Sequence, residues 1–89
     1  MTTPREALAE IDDEILCADG FDEALIGYAQ RCGQPALAVY DREKCIDVLV
    51  ERDGMPREDA EEFFEFNVVG AWVGERTPLF LYRLDGETP

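Results

Sequence analysis

Apolar residues recur along this chain with two different periods, and each change of period marks a boundary between elements. Near the start, Leu8, Ile11 and Ile15, with Ala7 and Ala18 beside them, fall three and four residues apart, the spacing of one helical stripe. Thr3-Pro4-Arg5-Glu6 opens that helix. The Thr3 hydroxyl can accept from the Glu6 backbone, Glu6 can reach back, and Pro4 suits the first helical position. The predicted helix runs to about Ala18 and stops at Asp19-Gly20.

Strand material follows. Ala24 to Cys32 and Pro35 to Tyr40 flank Gly33-Gln34, a short connection of the kind that joins antiparallel strands. In the first strand Ile26 and Tyr28 share one face, and Leu25, Gly27 and Ala29 the other. In the second, Leu37 and Val39 alternate with Ala36, Ala38 and Tyr40. A face combining Gly27, Ala29, Ala36 and Ala38 would let a helix approach closely, or leave room for a flat ligand.

Helical spacing returns after Asp41, a good N-cap, with Arg42 to Arg52 burying Cys45, Ile46 and Leu49, and Val48 and Val50 flanking. Asp53-Gly54 ends this helix. A third starts near Pro56, with Glu58 and Asp59 at the positive end of its dipole, so that the pair forms an αα-hairpin. The inward stripe of the third helix reads Ala60, Phe63, Phe64, Asn67, Val68 and Ala71. Asn67 is the anomaly, because a buried amide without partners costs about 1–3 kcal/mol. Its expected partners are backbone groups of residues 70–77 or of a neighbouring strand; the alternative is that it lines a pocket. Gly70 and Gly74 relax the backbone, and Pro78 fixes the entry to a last strand, Leu79 to Leu84, which is apolar on both faces. Such a strand is expected to be central or covered by a second copy of the chain.

The order is therefore α-β-β-α-α-β. It predicts an α+β fold in one small domain over residues 1–89, with a three-stranded, mainly antiparallel sheet packed by the αα-hairpin plus the N-terminal helix. Residues 1–3 and 85–89 read as loose tails.

Composition narrows the chemistry more than the fold. The 89 residues include 21 acidic and 8 basic side chains, a formal net charge of -13, which repels nucleic acid and anionic membranes. The chain has no histidine and no serine, which removes Ser-His-Asp and Cys-His pairs and His-ligated zinc. Cys17, Cys32 and Cys45 make no C-x-x-C unit and read as small buried residues in a reducing cytoplasm. The opening residues lack a basic region followed by an apolar one, and no apolar run approaches the roughly 18 residues of a membrane span. Neither cofactor nor metal is expected. Asp12 and Asp13 are adjacent and point about 100° apart on a helix, poor geometry for one ion.

Two stretches, Tyr40-Asp41-Arg42-Glu43-Lys44-Cys45-Ile46 and the run from Phe64-Glu65-Phe66-Asn67 through Thr77-Pro78-Leu79-Phe80, resemble a group of small proteins encoded in tailed-phage genomes, prophages and some bacteria. The resemblance spans roughly residues 20 to 82. It implies a genomic setting, and host cytoplasm as the compartment, rather than a mechanism. Pro56 departs from the pattern, since such proteins usually carry there a serine or threonine able to cap the third helix.

Three functional readings follow. The first is a non-enzymatic protein-binding module, in narrower form a phage-derived modulator or inhibitor of a host protein. It would present Glu10, Asp12, Asp13, Glu14, Asp19, Asp22 and Glu23 to a cationic partner, although a charged face is more often simply solvated. The second is a small-molecule or nucleotide binder, with Trp72, Tyr28 and Tyr40 to stack and Asn67, Arg76 and Thr77 for polar contacts; nothing has the spacing of a P-loop or dinucleotide fingerprint. The third is self-association into a homodimer through Phe66, Val69, Trp72 and Val73, which lie off the inward stripe.

Overall fold

The computed structural model describes residues 3–71 and 74–84. The capping box at Thr3 forms as its sequence dictates. Glu6 N–H donates to Thr3 Oγ1 at 3.2 Å, Thr3 N–H donates to Glu6 Oε1 at 3.3 Å, and Pro4 occupies the first turn of α1 (Pro4–Ile11). The helix stops at Ile11 rather than near Ala18. At Asp12 the backbone becomes extended, and Asp12 Oδ1 accepts from Glu14 N–H at 3.0 Å, a local bond that competes with the helical ladder. Like charges at Asp12, Asp13 and Glu14 add to the cost of continuing. Of the predicted stripe, Leu8 is buried, Ile11 is 52% exposed, and Ile15 reaches the core from the loop instead of from the helix.

A short 3-10 turn at Asp22–Ala24 leads into β1 (Leu25–Ala29), which pairs antiparallel with β2 (Leu37–Asp41). The strands are shorter than their apolar pattern predicts, and residues 30–36 connect them. Pro35 has no N–H to give a ladder, which holds β2 back to Leu37. A bulge at Ile26 then sets the register: Leu25 lies opposite Tyr40, Gly27 opposite Val39 and Ala29 opposite Leu37. The expected face of small residues over Gly27, Ala29, Ala36 and Ala38 therefore does not form, because the two strand residues Gly27 and Ala29 share their side of the sheet with Val39 and Leu37.

Asp41 caps α2 (Arg42–Asp53), its Oδ1 accepting from the N–H groups of Glu43 at 3.0 Å and Lys44 at 3.5 Å. α3 (Arg57–Phe64) packs against α2 as an αα-hairpin; Pro56 stands at its N-cap without a side-chain bond, while Glu58 and Asp59 fill its first turn. The helix continues through Glu65–Val69 as a π turn. After the return through residues 70–78, β3 (Leu79–Leu81) pairs with β2 in parallel. The sheet is thus mixed, in the order β1-β2-β3, and antiparallel only between β1 and β2. The reason is the connection: a strand-helix-helix-strand path is long enough to carry the chain back to the starting end of β2, the condition for a parallel neighbour. β3 ends at Leu81, short of Leu84, and lies at the edge of the sheet rather than at its centre.

One face of the sheet makes the core. Leu25, Ala38 and Tyr40 are buried there with Phe21, Ala24, Cys45, Ile46, Leu49, Ala60 and Phe64, and Phe80 packs against them. Phe64 meets Phe80 edge-on at 5.2 Å and Phe21 at 6.1 Å between ring centroids, geometry that aligns positive ring edges with negative faces. Tyr40 is fully buried, and its Oη accepts from the Ala18 N–H at 2.7 Å. That bond ties the irregular segment after α1 to the centre of the sheet. Burial pushes the Tyr40 hydroxyl up to about 12, with Cys17 adding to the rise. The cysteines are free, and only Cys45 is buried; Cys17 is half-buried and Cys32, in the hairpin connection, is exposed.

Candidate interaction surface

The opposite face of the sheet carries apolar residues outside the core, half-buried at Gly27, Leu37 and Val39 and exposed at Ala29, Leu79 and Leu81. Partners across a strand pair share a face, so Ala29 with Leu37, and Gly27 with Val39 and Leu79, form two rows, and Leu81 continues beyond them. Leu79 is 44% exposed and Leu81 42%. Neither Leu37 nor Val39 belongs to the core cluster or to the residues packed against it. At one end the face is closed by Asp41, opposite Leu81, whose Oδ2 accepts from Arg83 Nη2 at 2.7 Å. At the other end it opens into a groove of about 580 Å³ with Ala29, Leu37, Pro35 and Leu79 as its floor and Gln30, Arg31, Gln34 and Glu75 at its rim. A sheet with one face in water ordinarily alternates apolar and polar residues along its strands. Here, apart from Asp41 at one end, the outer face of the sheet is apolar as well.

The acidic segment is less bare than its sequence implies. Arg76 Nη1 donates to Asp12 Oδ2 at 2.9 Å and to the Ala36 carbonyl at 3.3 Å, and Nη2 to Glu14 Oε1 at 3.4 Å. Arg5 pairs with Asp19 at 2.8 Å and with Asp22 at 3.6 Å. The bonds from Arg76 and from the Glu14 backbone hold the Asp12 carboxyl below the usual carboxylate range. Among the described residues Glu10, Asp13 and Glu23 make no ion pair, so the seven acids taken as one binding face divide into paired and solvated groups.

Asn67 is exposed, contrary to its expected place in the inward stripe. The π turn at Glu65–Val69 spreads its bonds over one extra residue per turn, which shifts the helical phase there. Its amide donates to the Phe63 carbonyl at 3.2 Å, so the partner is its own helix rather than the 70–77 backbone or a strand. Phe63 and Ala71 are likewise exposed, leaving Ala60 and Phe64 as the buried positions and Val68 half-buried. Gly70 follows because a Cβ there would sit 2.9 Å from the Phe66 carbonyl oxygen. Asn67 borders a cleft of about 500 Å³ lined by Leu16, Phe21, Val68, Thr77, Pro78 and Phe80, among others. Thr77 Oγ1 donates to the Gly74 carbonyl at 2.6 Å, and Arg76 is committed to Asp12, Glu14 and Ala36, so both polar candidates serve the turn at residues 74–77.

Of the proposed self-association residues, Phe66 is 76% exposed whereas Val69 packs against the core; Trp72 and Val73 lie outside the described residues. Beside Phe66, Glu65 accepts from the Tyr82 hydroxyl at 2.7 Å and from Arg42 Nε at 3.2 Å, which fastens the π turn to the end of β3 and the start of α2.

Sequence reasoning registered that Leu79 to Leu84 is apolar on both sides but did not find the face as a unit, because the face exists only through the Gly27-Val39-Leu79 register. Arg31, too, carries no distinguishing signal in the sequence. Of the chain's seven arginines it alone has no carboxylate partner among the described residues. No helix among the described residues is long and apolar enough to cross a membrane, and none of their His, Cys, Asp or Glu side chains gather into a group that could hold a metal ion. No family model, curated protein or solved structure matches the chain.

Proposed function

We propose that this chain is a small non-enzymatic protein-binding module whose contact surface is the outer face of its sheet. One observation carries the reading: the rows Ala29-Leu37 and Gly27-Val39-Leu79, with Leu81, contain no polar side chain, although among the described residues they stand outside the core cluster and Ala29, Leu79 and Leu81 are exposed. Contiguous exposed apolar area of this kind marks interaction surfaces in small domains. The acidic segment contributes solubility and long-range steering rather than the contact itself, since Arg5 and Arg76 neutralise several of its carboxylates.

The test is a photo-activated cross-linking residue placed in cells at position 79 and, as a control, at position 13. Cross-links to protein at 79 and few at 13 support the reading. Cross-links at 13 alone would move the surface to the acidic segment. A host protein captured at 79 would narrow the function to modulation of that factor, the form that the phage resemblance favours.

A second reading rests on Asn67, which borders the 500 Å³ cleft with Asp19 and Thr77 as the other polar groups in a lining dominated by Leu16, Phe21, Val68, Pro78 and Phe80. Clefts of this size, mostly apolar with a few polar groups, are the usual form of small-molecule sites. A thermal-shift screen of nucleotides and small aromatic acids tests it; no stabilisation at millimolar ligand would remove it.

A further inference from the structure

From the sheet face and its rim we infer that the occupant is a second copy of this chain, packed face to face about a two-fold axis that runs along β2. The inference rests on the reading of the outer face as a contact surface and adds the partner and the symmetry.

Three observations carry it. First, the rows Ala29-Leu37 and Gly27-Val39-Leu79 bear no charge, and the one carboxylate at the end of the face, Asp41, is buried and neutralised by Arg83 at 2.7 Å, so two copies with net charge -13 can approach there without setting unpaired carboxylates together. Second, the groove rim bears one unpaired charge of each sign. Arg31 has no carboxylate partner among the described residues, Glu75 has no cationic one, and both line the same groove as Ala29, Leu37 and Leu79. Third, their places in the fold are those a two-fold would exchange. β1 runs antiparallel to β2 and β3 parallel to it, so the end of β1 and the start of β3 lie at the same end of the sheet, on either side of β2. Arg31 follows the first and Glu75 precedes the second.

A two-fold axis lying between two stacked sheets and parallel to β2 preserves position along the strands while exchanging the β1 side with the β3 side. It therefore sets Arg31 of each copy opposite Glu75 of the other, and Val39 close to its own symmetry mate. An isologous interface requires such self-complementarity. The natural angle between aligned sheets, about 30°, is compatible with the arrangement. Three strands of this length offer a face roughly 15 Å on a side. Two such faces with their rims bury on the order of 800 Å² in total, below a standard stable interface, so the dimer forms with a dissociation constant on the order of 10–100 μM.

Sedimentation equilibrium of the whole chain from about 1 to about 500 μM reads this directly. The wild type is expected to pass from the 10.1 kDa monomer to twice that mass. Arg31→Glu and Glu75→Arg, each removing both symmetry-related ion pairs and placing like charges opposite, are expected to weaken association about tenfold. The double variant R31E/E75R is expected to return to within about threefold of the wild type. Both side chains are exposed, and far-UV circular dichroism verifies that the variants fold. A wild type that stays monomeric throughout overturns the second copy; cross-linking of position 79 to some other protein would then leave the contact surface itself standing. Association that the single reversals do not weaken, or that the double reversal does not restore, overturns the two-fold arrangement.

Discussion

Arg76 and Asp12, far apart in sequence, meet at 2.9 Å, and the same guanidinium takes up the Ala36 carbonyl at 3.3 Å. This contact holds three irregular stretches together: the turn after α1, the lead into β2 and the turn before β3. Each is short of secondary structure of its own. Arg76→Ala is expected to destabilise the chain by about 1–2 kcal/mol, because a half-buried carboxylate and a carbonyl both lose a charged donor. Urea unfolding measures it, and a loss within about 0.3 kcal/mol would mean that the pair is no more than a solvated surface contact.

Asp41 gives the stability a pH dependence of known sign. Burial pushes its carboxyl up, but Arg83 at 2.7 Å and the backbone N–H groups of Lys44 and Glu43 together bring it below the usual carboxylate range. A carboxyl held lower in the folded than in the unfolded chain contributes stability above the unfolded value of about 3.9, and that contribution disappears as pH falls through the folded value. Acidification also relieves the mutual repulsion of a highly acidic chain, so the comparison with a variant is the informative one. Asp41→Asn keeps an N-cap residue and removes the charge. The difference in Tm between wild type and D41N is expected to be largest near neutral pH and to shrink below about pH 4. A difference that is flat from neutral pH to about pH 2 would contradict this account.

Asn67 separates two pictures by magnitude. An exposed amide donating to the Phe63 carbonyl contributes about 0.5–1 kcal/mol, so Asn67→Ala is expected to cost about that much. Loss of more than about 3 kcal/mol would place the amide in the interior. Asn67→Leu is expected to be tolerated equally well.

Gly20 has a φ of +89°, and a Cβ there would come within 2.8 Å of Arg52 Nη1, which donates to the Gly20 carbonyl at 2.8 Å. Both facts oppose a side chain. Gly20→Ala is expected to cost about 1–2 kcal/mol and to loosen the stacking of Arg52 over Phe21, whose ring centroid is 5.7 Å from the guanidinium carbon. Chemical denaturation measures the first, and the chemical shifts of the Phe21 ring the second.

The cysteines should differ in reactivity by location. Cys32 is exposed, whereas burial, reinforced by nearby Asp41, pushes the Cys45 thiol up to about 12. Under native conditions iodoacetamide is expected to modify Cys32 first and to leave Cys45 untouched until the chain unfolds. Mass spectrometry of the time course shows the order, and early modification of Cys45 would mean that the core opens locally.

Local signals were legible where one residue type and its neighbours decide the outcome. Thr3 with Glu6, Asp41 before Arg42, and the break at Gly54 are of this kind, and each stands where its chemistry puts it. Signals that depend on competition were misread. The stripe Leu8-Ile11-Ile15 favours a longer helix, but the Asp12 side chain bonds to Glu14 N–H and ends it at Ile11. Asn67 has helical spacing with Phe63 and Phe64, yet a π turn, which no simple periodicity announces, carries it outward. The outer face was hidden for a different reason. Its residues are far apart in sequence, and only the bulge at Ile26 and the parallel pairing of β3 bring Ala29, Val39 and Leu79 to one side.

The parallel pairing also bears on folding. β1, β2 and α2 are near neighbours in sequence and can meet at little loop-closure cost, whereas the pairing of β3 with β2, and with it the contact row of Leu79 and Val39, closes a much longer loop and is expected to form later. A chain in which β3 is not yet in place lacks the third of its outer face that β3 supplies, so this apolar surface is complete only when the fold is.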